Sequence, residues 1–126
     1  MSAGMTSGAP AGAGDDAGSG AVMPPLPDRL LTVVAPVALE DELIDVLLGL
    51  PELARGFTAT RADGFGAGAR LPSAIEQVTG RARRVRIEIA LGEAQVAPLV
   101  EALKSALPTA EVAWWVTPLL AFGRLA

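Results

Sequence analysis

The sequence predicts an α+β fold, a ferredoxin-like βαββαβ sandwich in which two helices cover one face of a four-stranded antiparallel sheet. Three observations support this prediction. Large apolar residues occupy every second position over residues 85–91, two other segments repeat apolar residues every three or four positions, and prolines and glycines separate the segments. The predicted order of elements is therefore strand, helix, strand, strand, helix, strand.

The first strand and the first helix are predicted within residues 30–50. Residues 30–35 (LLTVVA) form a short apolar run that ends at Pro36, which is typical of a central strand buried on both faces. From Val37 the apolar residues recur at helical spacing, and the helix is expected to end before Pro51 because a residue preceding proline is disfavoured in the α region. Acidic residues complement the dipole at its first turn: Glu40, Asp41 and Glu42.

The second and third strands are predicted at residues 57–61 and 81–91. The former (FTATR) follows Gly56 and is rich in residues that favour strands. The latter shows the clearest alternation in the chain, so one of its faces is expected to be buried and the other polar. The buried face comprises Val85, Ile87, Ile89 and Leu91, and the other face comprises Arg84, Arg86, Glu88 and Ala90.

A second helix and a last strand complete the prediction. After Gly92 the helical spacing returns and continues to Pro108, with Pro98 close enough to the start to be tolerated. Residues 111–120 (EVAWWVTPLL) form the last strand, in which Trp114 and Trp115 must point to opposite faces. Because the first strand is apolar on both sides and the last strand places a tryptophan on each side, the face that the helices leave open carries more apolar area than a small monomer exposes. We therefore expect a homo-oligomer that buries it. The alternative is a single tryptophan that lies half-exposed on an edge strand.

A long loop, residues 62–80, connects the second and third strands. Its glycines, including Gly68, allow close approach of the backbone to a ligand, and Ser73 with Glu76 has the spacing of a capping box for one helical turn. Guanidinium groups beside such glycines suit a phosphate or carboxylate, so the loop is predicted to bind an anionic ligand or a partner. The alternatives are a flexible loop without a ligand, and arginines that are solvated, paired with Glu88 or at a subunit contact. The arginines are Arg61, Arg70, Arg81, Arg83, Arg84 and Arg86.

Composition narrows the function classes. The chain has no cysteine and no histidine, which removes thiol nucleophiles, imidazole acid–base chemistry and the usual zinc ligands, so neither catalysis nor a metal site is expected. A net charge of −4 argues against nucleic-acid binding. Residues 1–28 are predicted to be a disordered tail without a signal peptide, and residues 29–126 the folded domain. No membrane insertion is expected, and the protein should be cytoplasmic.

Two glycine motifs and the strand after the long loop carry a family resemblance. Residues 56–58 (GFT) and 64–66 (GFG) resemble the second strand and the start of the long loop of the nitrogen-regulatory PII superfamily. Residues 84–89 (RVRIEI) resemble the strand that follows this loop. Members of the superfamily share a ferredoxin-like core, which agrees with the fold predicted from the pattern.

A narrower resemblance involves residues 30–36, 76–81 and 115–118 (LLTVVAP, EQVTGR and WVTP). They resemble a small uncharacterised PII-like family often encoded beside heavy-metal efflux pumps. The resemblance implies a homotrimeric signalling protein that binds a small anionic effector at its subunit clefts and regulates a partner, such as a membrane transporter, through the long loop. The expected ligand-binding residues are Arg61, Gly64, Phe65, Gly66, Arg81, Arg83 and Arg124.

The chain departs from the PII pattern at the site of nucleotide phosphates. PII proteins hold these phosphates on a second glycine-rich loop with a lysine, whereas residues 107–110 read LPTA here. The effector is therefore predicted only as a nucleotide or another small anion. The loop also lacks histidine, so it has no natural ligand for a soft metal.

Two other interpretations fit the same order of elements. A ferredoxin-like amino-acid-sensing domain, acting as a dimer, normally has a short central hairpin, so the loop length counts against it. A small ferredoxin-fold enzyme is the other: an acylphosphatase needs an asparagine, which this chain lacks, and a monooxygenase needs a deep apolar cavity. An RNA-recognition domain is rejected because it needs stacking aromatic residues where the third strand carries charged ones.

Overall fold

A computed structural model describes residues 26–65 and 81–126, and within them it has the predicted ferredoxin-like α+β sandwich. No helix in this part of the chain is long and apolar enough to cross a membrane. The elements are β1 (Arg29–Pro36), a 3-10 turn (Val37–Leu39), α1 (Glu40–Leu48), β2 (Thr58–Gly64), β3 (Ala82–Leu91), α2 (Glu93–Ala106) and β4 (Ala113–Pro118).

The strands lie in the order β2-β3-β1-β4, and every neighbouring pair is antiparallel. The apolar run of β1 is central, as predicted. Val33 lies opposite Ile87 on one side and Trp114 on the other. Because directly opposed residues share a face, these three side chains lie on one face of the sheet. The residues next to them in sequence, including Trp115, lie on the other, so the two tryptophans occupy opposite faces.

The core lies between the sheet and the two helices. Alternate residues of the central strands are fully buried against Leu43 and Leu47 of α1 and Leu99 of α2. Each such side chain stabilises the fold by about 1.5–3 kcal/mol relative to an exposed position. The largest fully buried strand residues are Leu31, Val33, Val85, Ile87 and Ile89.

The first helix is shorter than predicted. The chain leaves Pro36 through the 3-10 turn, so regular α-helix begins only at Glu40. The helix ends at Leu48, where the N–H of Gly49 is shared between two carbonyls of the last turn at 3.1 Å each. The chain therefore turns away three residues before Pro51 rather than immediately before it.

The strands beside the long loop also differ from the prediction. β2 continues to Gly64, because Asp63 and Gly64 keep their register with Arg83 and Ala82 of β3. Residues 62–64, which the sequence analysis assigns to the loop, thus extend the hairpin. β4 is shorter than the predicted strand at both ends, and it ends at Pro118, which has no N–H to donate.

Asp28 connects the start of the domain to α2. Its N–H donates to the carbonyl of Leu91 at 3.1 Å, and its Oδ1 accepts the N–H of Glu93, the first residue of α2, at 3.0 Å. A carboxylate here satisfies a helix donor that would otherwise lack a partner. The Gln95 side chain likewise accepts the N–H of Gly92 at 2.9 Å. Residues 1–25 of the predicted tail lie outside the described residues.

Candidate functional site

The base of the long loop is formed by the ends of β2 and β3. Asp63 lies opposite Arg83, and Arg61 lies opposite the buried Val85, so these side chains occupy the helix-covered side of the sheet. They line a cleft of about 190 Å³ with the start of the 3-10 turn. The guanidinium groups of Arg61 and Arg83 and the carboxylate of Asp63 lie on this side of the sheet, and the two guanidinium groups suit the cleft to an anion. Its lining residues are Val37, Arg61, Ala62, Asp63, Arg83 and Arg84.

Arg61 is held by a carboxylate of α1. Its Nη2 donates to Oε1 of Glu40 at 2.6 Å, and the side chains are 60% and 19% exposed. The hydrogen bond to Glu40, together with the charge of this carboxylate, raises the pKa of Arg61. The guanidinium is therefore oriented before any ligand arrives, with part of its donor fork still exposed.

Arg81 forms a more exposed pair across the hairpin. Its Nη1 donates to Oδ2 of Asp63 at 3.1 Å, and the two side chains are 49% and 44% exposed. Pairs of this exposure contribute about 0–1 kcal/mol, so an incoming anion can replace Asp63 as the acceptor at little cost to folding. Arg83 is exposed, and it also has an interaction partner.

The glycine and phenylalanine at the start of the loop lie beside these arginines. A Cβ on Gly64 would stand 3.2 Å from both Cγ and Nε of Arg84, so the missing side chain leaves room for Arg84 to cross the hairpin. Phe65 is 70% exposed. Gly66 and the rest of the loop to residue 80, including Arg70 and the predicted helical turn at Ser73 and Glu76, lie outside the described residues.

Arg124, the last predicted ligand residue, lies at the other end of the sheet. Its guanidinium carbon is 6.0 Å from the centre of the Phe122 ring, a cation–π distance. It lines a second cleft of about 610 Å³, formed by the turn before β2, the end of β3 and the C-terminal segment. From Arg83 to Ala90, which line the two clefts, β3 rises by roughly 23 Å. One copy of the chain therefore does not bring Arg124 to the loop base.

Sequence analysis missed a second arginine of this larger cleft. Arg55 lies in the turn between α1 and β2 and lines the cleft together with Arg124 and Gln95. No ion-pair partner of Arg55 occurs among the residues that the structure describes. A lone arginine in a turn belongs to no periodic pattern. Only its position next to Gly56, the first residue of the GFT motif that resembles PII proteins, could have marked Arg55 as a candidate site residue.

The open face of the sheet combines an apolar half and a charged half. On β1 and β4, Trp115 lies opposite Thr32, and Leu30 and Val34 flank Thr32. Thr32 is buried although no helix covers it, whereas Trp115 is 47% exposed. On β3 this face carries the predicted polar residues, with Arg86 opposite Val34. The apolar half is the surface expected to be buried in an oligomer.

A match over the folded part of the chain shows the family to which it belongs. The model of the family DUF3240, which is described as "protein of unknown function", matches residues 26–126. The chain belongs to the DUF3240 family. No match to it was found among curated proteins.

Solved structures relate this DUF3240 chain to PII-like proteins. A DUF3240 family protein from Shewanella baltica OS155 is 25% identical, with a TM-score of 0.64 over 79% of this chain and 97% of that chain. A protein described as PII-like and signalling, from Thermus thermophilus, is 27% identical, with a TM-score of 0.53 over 75% and 88%. CPII from Thiomonas intermedia K12, a nitrogen regulatory PII-like protein solved with ADP, AMP and bicarbonate, is 18% identical, with a TM-score of 0.56 over 79% and 97%. The likeness to CPII concerns the fold alone.

These findings confirm the predicted PII-like resemblance and the ferredoxin-like fold. The DUF3240 chain shares its fold with proteins described as signalling or regulatory. The association with heavy-metal efflux pumps stays a prediction. Among residues 26–65 and 81–126, no group of three or more acidic side chains is arranged to hold a metal ion.

Proposed function

We propose that this protein is a cytoplasmic PII-like regulatory protein that binds a small anionic effector in a cleft between two copies of the chain. The separation of the two arginine clusters carries the proposal. Arg61, Arg81 and Arg83 lie at one end of the sheet, and Arg55 and Arg124 lie at the other. A single small ligand can contact both clusters only where the loop base of one copy meets the Arg124 cleft of another.

The effector class follows from the donors at both clusters. Guanidinium groups bind phosphate and carboxylate oxygens through paired hydrogen bonds, and backbone N–H groups at Gly64 and Phe65 add donors. Gly66, the remaining predicted ligand residue, would extend this backbone. The ADP, AMP, bicarbonate and acetate found with CPII make nucleotides and small carboxylates the first probes. No catalysis is assigned to the site.

The assembly that would form this cleft is a homotrimer. Two different surfaces meet in the proposed contact, the loop base of one copy and the Arg124 end of the next. Such head-to-tail contacts close into rings rather than two-fold dimers. The apolar half of the open face, around Trp115, supplies a surface for burial in this ring.

Regulation would pass from the effector to the long loop. An anion at the loop base competes with Asp63 for Arg81 and with Glu40 for Arg61, so its arrival changes the contacts from which the loop starts. We propose that the loop then engages or releases a partner protein, with the transporter of a heavy-metal efflux system as the first candidate. The loop itself lies outside the described residues.

Calorimetric titration tests this function. Purified protein is titrated with ADP, AMP, bicarbonate and a dicarboxylate, and the measurement is repeated for Arg81→Ala and Arg86→Ala. Loss of one charge-assisted hydrogen bond in Arg81→Ala should weaken binding by roughly ten- to a hundredfold. Arg86 lies on the open face, so Arg86→Ala should disturb assembly before the intrinsic affinity. Failure of the wild-type protein to bind any of the anions would contradict the proposal, and equal losses in both variants would refute the separate roles.

A further inference from the structure

An apolar groove lies beside β4, on the helix-covered side of the sheet. It has a volume of about 140 Å³, enough for one or two large side chains, and it lies between the end of α2 and Trp114, which is 46% exposed. Lys104 lines it and is itself 61% exposed. We call it the Trp114 groove, and its walls include Val33, Val100, Leu103, Leu107, Val112 and Trp114.

The chain also carries an apolar C-terminal segment whose leucines are exposed. Residues 119–126 (LLAFGRLA), here called the C-terminal arm, follow β4 without regular structure. Leu120 is 99% exposed and Leu125 is fully exposed. The arm is nevertheless anchored where it starts, because the N–H of Leu119 donates to the carbonyl of Asp28 at 3.0 Å.

The arm and the groove of one copy are at opposite ends of β4. The groove adjoins Trp114 near the start of the strand, and the arm begins after Pro118, roughly 17 Å away along β4. Phe122 and Arg124 of the arm line the large cleft at that far end, so the arm runs away from its own groove.

We infer that the C-terminal arm of one copy packs its exposed leucines into the Trp114 groove of the next copy. This inference rests on the proposed head-to-tail ring, in which the Arg124 end of one copy meets the loop-base end of another. The groove lies at that same loop-base end, because Ala113 pairs with Val34 and Pro36 pairs with Arg84. The proposed contact therefore brings the arm and the groove to the same interface, and it matches apolar side chains with an apolar groove.

Engineered cysteines test the contact, since the chain has none of its own. Lys104→Cys protein is mixed with Leu125→Cys or Leu120→Cys protein, allowed to exchange subunits and oxidised mildly. A covalent two-chain species should form on a non-reducing gel in at least one mixture. In the matched control, Leu48→Cys replaces the arm variant in the mixture with Lys104→Cys. Leu48 is a 65% exposed leucine on α1, and this mixture should give roughly tenfold less of the two-chain species because the thiol at position 48 is not held near the groove.

A second pair of variants measures the contribution of the arm to assembly. Leu120→Asp combined with Leu125→Asp should raise the dissociation constant of the oligomer by about ten- to a hundredfold, whereas Leu48→Asp should leave it unchanged. Light scattering on the same samples separates two kinds of failure. An intact oligomer with neither crosslinking above the control nor a change in dissociation constant would overturn the arm contact and leave the proposed function standing. A monomeric wild-type protein would overturn both.

Discussion

Replacing Trp115 with alanine is expected to dissociate the proposed oligomer while the chain stays folded. Trp115 lies on the open face opposite Thr32, is 47% exposed, and is not part of the core under the helices. A tryptophan buries up to about 250 Å², so roughly 120 Å² remains for another copy to cover, worth about 3 kcal/mol at about 25 cal/mol per Å². The dissociation constant should therefore rise by roughly a hundredfold.

Light scattering over a dilution series measures this change. The wild-type protein should have about three times the chain mass of 12.8 kDa, and Trp115→Ala should have a lower mass at concentrations where the wild type is assembled. Leu48→Ala, which truncates a 65% exposed leucine on α1, is the matched control and should assemble normally. Circular dichroism checks that each variant is folded. Normal assembly of Trp115→Ala would refute the burial of the open face.

Three further predictions concern the folding of one chain. Arg81→Ala should change the free energy of unfolding in urea by less than about 1 kcal/mol, because its pair with Asp63 is half-exposed, and a larger loss would show that the pair is structural. Asp28→Ala should lower the free energy of unfolding by about 1 kcal/mol, because the first N–H of α2 loses its acceptor. Asp28→Asn keeps an acceptor oxygen, so it should recover most of this loss if capping is the cause. Removal of residues 1–23 should leave the Tm nearly unchanged, since this segment has no periodic apolar face to bury, and a large fall would contradict the predicted tail.

The elements and their faces could be predicted because they depend on local periodicity. The alternation in β3 indicated which side chains enter the core, and the apolar run of β1 indicated a central strand. The neighbouring positions of Trp114 and Trp115 were sufficient to separate them onto two faces. In each case the sequence spacing and the backbone geometry of the element determine the result without knowledge of distant residues.

The details of the candidate site could not be predicted because they depend on partners far apart in the sequence. Arg61 binds Glu40 across 21 positions, and Arg81 binds Asp63 across 18 positions. Such pairs depend on how α1 and the β2-β3 hairpin pack, which periodicity does not specify. The same holds for Asp28, whose carboxylate meets α2 across 65 positions.

The central claim is that the effector contacts the loop base of one copy and Arg124 of another, and mixed oligomers test it most directly. Arg81→Ala and Arg124→Ala should each bind the wild-type effector anion weakly. After equal amounts exchange subunits at random, about a quarter of the clefts combine an intact loop base from one chain with an intact Arg124 from the other. Titration of the mixture should therefore recover roughly a quarter of the high-affinity sites. If both contacts came from the same copy, no cleft would be intact and no high-affinity sites would return, which would contradict the account.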